Sequence, residues 1–124
     1  MATQGNQVRE SMIAGADLSA AQFTFVKMNT TDSTVVAAGD AEAAFGVLIN
    51  TPTSGAAATV VTHGRVSITA GTGGLTAGDL VGVDADGAGV TAATSDIVAG
   101  ICVDAAAAGG LATIDFFRGG NAAA

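Results

Sequence analysis

The sequence predicts an all-β domain, a small barrel or sandwich built from two related strand–turn–strand units with an extended N-terminal arm. Three observations predict it. The first is internal repetition, the feature that constrains architecture most when present. Residues 45–61 (FGVLINTPTSGAAATVV) align without a gap on residues 99–115 (AGICVDAAAAGGLATID), placing Gly46 on Gly100, Val47 on Ile101, Asn50 on Asp104, Gly55 on Gly109 and Val60 on Ile114. Upstream, after a slip of one residue, Phe25 to Asn29 (FVKMN) match Leu80 to Asp84 (LVGVD), and Val35 matches Val90. The second observation is that short apolar runs alternate with turn residues, with no long stretch of helical period. The third is a composition of 18 Gly and one Pro, suited to many tight turns between short strands.

The elements follow in order. Residues 1–20 are small, polar and aperiodic apart from Val8, Met12, Ile13 and Leu18, and read as the arm. Residues 23–28 alternate as a strand with Phe23 and Phe25 on one face. Residues 29–33 are turn-like, 34–38 a short strand, and 40–44 an Ala/Glu-rich helical turn. Residues 45–49 and 57–68 are strands, the second with a bulge or bend at Gly64. After a loop at 71–74 and a polar turn at 75–79, residues 80–83 form a hairpin with 90–92. Its turn is at 84–87, where Asp86-Gly87 supplies the positive φ required. The last strands are 97–103 and 111–117, followed by a frayed tail. The organisation is therefore an arm (1–20), one β domain (21–118) with its duplication at about 23–61 and 78–115, and a tail (119–124).

At 124 residues the chain forms one domain with a thin core, since alanine supplies much of its apolar fraction and its only aromatics are five Phe. Burial against other subunits would remedy that. A net charge of −7 repels nucleic-acid phosphates, so no nucleic-acid partner is expected. No run approaches the roughly 20 apolar residues of a membrane span, and residues 1–11 lack the basic-then-apolar pattern of a signal peptide.

Catalytic chemistry finds little footing. His63 is the only histidine and lies mid-strand, and no Gly-x-Ser-x-Gly elbow presents a nucleophile. Asp84 and Asp86 begin like a calcium loop, but the twelfth position is Ser95 rather than Glu, so a hairpin turn is the better reading. The glycines at 87 and 89 precede a strand, not the helix a dinucleotide site needs. Cys102 falls on Leu48 in the repeat and reads as a small buried hydrophobe. No catalytic, cofactor-binding or metal-ligating residue is assigned. Phe116 and Phe117 are adjacent, so one faces the core and the other is left for the arm or a partner. The partner-binding candidates are Val8, Met12, Ile13, Leu18, Phe116 and Phe117.

Residues 46–52 (GVLINTP), with Gly55 and Ala58 to Val60, begin a series that continues in residues 16–23, 25–27, 77–79, 84–87 and 98–101. In order, these resemble the small capsid-cement, or head-decoration, proteins of tailed bacteriophages, over about residues 14–117. The resemblance implies a β-rich, commonly trimeric protein on the outer surface of the virion capsid, made in the host cytoplasm, with the major capsid protein as partner. It brings no catalytic residues. Because the arm has little reason to fold alone, residues 3–18 are expected to reach a neighbouring subunit and add a strand to an exposed edge. Three other readings compete: a host-surface or glycan-binding module, a self-assembling shell or tail subunit, and a small hydrolase or metal enzyme using Asp residues and His63. The absence of Trp and Tyr weighs against the glycan module.

Overall fold

Alternation and turn chemistry produce nine strands among the described residues, which in a computed structural model of the chain are 7–39, 42–92 and 97–117. They are β1 (Val8–Ala14), β2 (Phe25–Met28), β3 (Thr34–Ala37), β4 (Gly46–Leu48), β5 (Ala57–Thr69), β6 (Leu80–Val83), β7 (Gly89–Thr91), β8 (Gly100–Asp104) and β9 (Leu111–Phe116). The ladder runs β1-β3-β2-β4-β5-β9-β8-β6-β7, and a further pairing of β1 with β5 closes the first five strands into a barrel. Closure removes free edges, which decides for barrel over sandwich. The 13-residue β5 serves both halves: its first part pairs with β1 and β4, its second with β9. Gly64, at φ 110°, marks the bend between them.

The two units share their registers. Val47 pairs with Val61 and Leu48 with Val60, as Ile101 pairs with Asp115 and Cys102 with Ile114. Phe25 pairs with Val47 as Leu80 pairs with Ile101. The slip between the copies lies in one turn. Met28 pairs with Val35 and Val83 with Gly89, so Val36, opposite Lys27, is the counterpart of Val90, opposite Gly82. The expected match of Val35 with Val90 is thus one residue out, because the 84–88 turn is a residue shorter than its equivalent. The second part of β5 plays for the second unit the part of β1. Ala14 joins Val35 in parallel as Ala70 joins Gly89, and the Gly15 and Gly71 N–H groups donate to those same partners' carbonyls at 2.8 and 2.7 Å.

Three sequence expectations change. Residues 1–20 do not stand apart from the β domain. Val8–Ala14 is a barrel strand with β5 on one edge and β3 on the other. β5 pairs along it from Val8 to Ile13, whereas β3 meets it only at Ile13 and Ala14; residues 3–6 lie outside the described residues. Phe23 is not in a strand with Phe25. At φ 62° it sits in a turn, its N–H donating to Leu48 and its carbonyl accepting from Thr69, where the second unit has Gly78 at φ 92°. The helical turn at 40–44 is absent from its described part, 42–44; Asp40 and Ala41 lie outside the described residues, as do Arg118 and the tail 119–124.

The barrel interior buries Ala14, Leu18, Val26, Val35, Leu48, Ala58 and Val60, with Met12 and Phe45 packed against them. The larger cluster fills the second unit with Val66, Ile68, Leu75, Val81, Cys102 and Ile114, and extends to Phe25, Val47 and Val61 on the outside of the barrel.

Candidate functional site

The ionisable groups are arranged for structure. Asp84 accepts at one carboxylate oxygen from the backbone N–H groups of Asp86 (2.8 Å) and Ala88 (2.9 Å), which makes the segment a turn. Asp79 accepts from Thr76 N–H and the Thr91 hydroxyl. Among the described residues no three His, Cys, Asp or Glu side chains gather as a metal site. Asp96 lies outside the described residues. His63 is exposed on β5, opposite Val8.

Among the described residues two ion pairs brace the surface. Lys27 meets Glu42 at 2.7 Å, and the other Glu42 oxygen accepts Gly39 N–H at 2.6 Å. Those two hydrogen bonds, Lys27 first, hold the Glu42 carboxyl below its ordinary range. Arg65 holds Asp115 through Nε (2.9 Å) and Nη2 (3.3 Å), a two-pronged geometry that also raises the guanidinium pKa. Cys102 is buried, and its thiol is pushed up by burial and then by the Asp79 and Asp104 charges.

The residues singled out as partner-binding divide by burial. Leu18, at 4% exposure, and Phe116, at 1%, belong to the core and are removed from any contact surface. Met12 is half-buried in the barrel interior, and Phe117 is half-buried beside the buried Phe116. Val8 and Ile13 stand out from β1, each about half exposed. Sequence reasoning missed Met28, Leu80 and Leu111, which are exposed to a similar degree. The repeat held a signal for one of them, since aligning Leu80 with Phe25 sets a large apolar residue at a second outer position. A groove of about 450 Å³ runs beside Met28, lined by Lys27, Glu42, Ala43, Ala44 and Phe45. A second, more polar one of about 560 Å³ lies where the units meet, between Gln22 and Thr24 on one side and Asp84 and Asp86 on the other. Val8, Ile13 and Met28 stand out from the closed barrel, and Leu80 and Leu111 from the strands of the second unit.

No family model and no curated protein matches the chain. Among solved structures, it is similar to the N base of head fiber gp8.5 in bacteriophage phi29, with a TM-score of 0.72 and 19% identity. The match spans 93% of this chain and 98% of that one. At this identity the likeness is one of fold, carried through almost the whole of both chains.

Proposed function

We propose that the chain is a structural protein of a phage particle that binds the outer surface of the capsid and stabilises contacts between neighbouring capsomers. The observation that carries this reading is the end-to-end likeness of its fold to a head-fiber base. The order of motifs over residues 14–117, which resembles the head-decoration proteins, points the same way.

In this reading a trimer sits at a threefold or quasi-threefold position and touches several copies of the major capsid protein. Each contact is weak alone. Linked through one rigid body, they act at high effective concentration and hold capsomers together against internal pressure. Binding only the mature lattice stabilises it by mass action. Val8 and Ile13, exposed on a strand that the closed barrel holds stiff, are assigned to the capsid contact.

The test is co-sedimentation with mature, undecorated phage heads. Saturable binding is expected, and Val8→Asp with Ile13→Asp weakens it while leaving the circular dichroism unchanged. Deleting residues 2–14 is unsuitable, because it removes a barrel strand. Absence of wild-type binding overturns the proposal.

A further inference from the structure

The two units carry matching surfaces, and only one pair of them is covered. On the first unit a cross-strand row runs Phe25–Val47–Val61 over β2, β4 and β5. All three side chains are fully buried and share one cluster with Val66, Val83 and Phe116 of the second unit. Phe25 lies on Phe116, and Phe25 N–H donates to the Gly87 carbonyl at 2.8 Å in the β6–β7 turn. The outer face of the first unit therefore seals one end of the second.

The registers name the counterparts. The second unit's outer row is Leu80–Ile101–Asp115, with Arg65 next to it on β5. The first unit's equivalent end carries Glu10 for Val66, Met28 for Val83 and Thr62 for Phe116. Glu10 faces Val60 as Val66 faces Ile114, and Met28 ends β2 as Val83 ends β6. Leu80 is 40% exposed where Phe25 is 0%, and Met28 is 43% exposed where Val83 is 2%. Thr62, at 6% exposure, is already covered, its hydroxyl donating to the Val8 carbonyl, so the chain presents one face open at Leu80 and one end open at Met28 and Glu10, of the kinds that fit each other within the molecule.

We infer that a second copy of this chain covers them: copies associate head to tail, the Leu80–Ile101 face of one closing the Met28 end of the next. The contact repeats between molecules the relation already made between the units. Its polar replacements are complementary in charge. Glu10 is the acid at the end, and Arg65, whose Nε and one Nη are engaged by Asp115, retains further N–H groups for it. With Asp115 in place of Val61 and Glu10 in place of Val66, the contact is more polar than the internal one and opens more readily. Such an interface is heterologous, so it closes into a ring or runs on as a chain. It requires no capsid and stands or falls separately from the capsid reading.

The test uses the full chain in sedimentation velocity at high micromolar concentration, without phage heads. Wild-type protein is expected to associate, whereas Leu80→Asp and Met28→Asp are each monomeric. Both positions are substantially exposed, so the fold should survive; circular dichroism checks this, and Leu80→Ser and Met28→Ser replace any variant that fails it. Mixing the two variants is the decisive step. One retains an intact end and the other an intact face, so a head-to-tail contact yields a heterodimer that grows no further. A monomeric wild-type protein, variants that associate as wild type does, or a mixture that stays monomeric would each overturn the inference.

Discussion

Phe25 and Phe116 meet with ring centroids 6.1 Å apart and planes tilted by 37°, joining a strand of the barrel to the last strand of the second unit. Both are buried, and tilted rings at this separation suit the aromatic quadrupole. Phe116→Ala should cost about 3–5 kcal/mol in urea unfolding, through lost burial and the cavity left behind. A double-mutant cycle with Phe25→Ala should give a coupling of about 0.5–1.5 kcal/mol. Simple additivity would mean that the contact contributes nothing beyond area.

Gly46 and Gly100 occupy equivalent places, and a methyl group at either would run into a backbone carbonyl, of Val61 or Asp115. Backbone held in a ladder cannot give way, so Gly46→Ala and Gly100→Ala should each lie at the upper end of the roughly 1–3 kcal/mol cost of overpacking. Gly55 and Gly109, at φ 83° and 84°, have open space around them. Alanine there costs only the left-handed strain of about 1–2 kcal/mol, and asparagine less. Thermal melts of the four variants would reveal the contrast; equal losses would refute it.

Acidification should loosen the Lys27–Glu42 brace. The folded-state pKa of Glu42 is depressed, so its contribution is present above the ordinary value of 4.5 and is lost as pH falls below it. The difference in melting temperature between wild type and Glu42→Gln should therefore be largest near neutrality and vanish in acid. Lys27→Met should return the Glu42 carboxyl, followed by NMR, towards 4.5. A pH-independent difference would show that the ion pair is not its source.

The Cys102 thiol is buried and shifted up, which leaves little thiolate at neutral pH. Native protein should react with a disulfide reagent far more slowly than unfolded protein, and at a rate set by opening of the structure. Comparable rates in buffer and in urea would contradict the burial.

Much of the fold was legible because its signals are local. The repeat, the alternation at β4, β5, β8 and β9, and the Asp-Gly turn at 84–87 are written in neighbouring residues. The contact surface was less legible. Leu18 and Phe116 look like exposed anchors in a list of apolar residues, and alternation places Phe116 and Phe117 on opposite faces without saying which face is inside. Leu80 and Phe25 are equivalent in sequence, yet one is exposed and the other buried, because only one of the two rows finds a neighbouring unit.

By itself, then, the sequence determined an all-β chain of two related units, since side-chain period and turn residues act over a few positions. Tertiary structure alone decided that Val8–Ala14 closes a barrel, that β5 is shared between the units, and that the outer row of the first unit is covered while that of the second is not. These are pairings between distant segments. Their free energy depends on which edges and faces meet once the chain has closed, and no short stretch of residues encodes that choice.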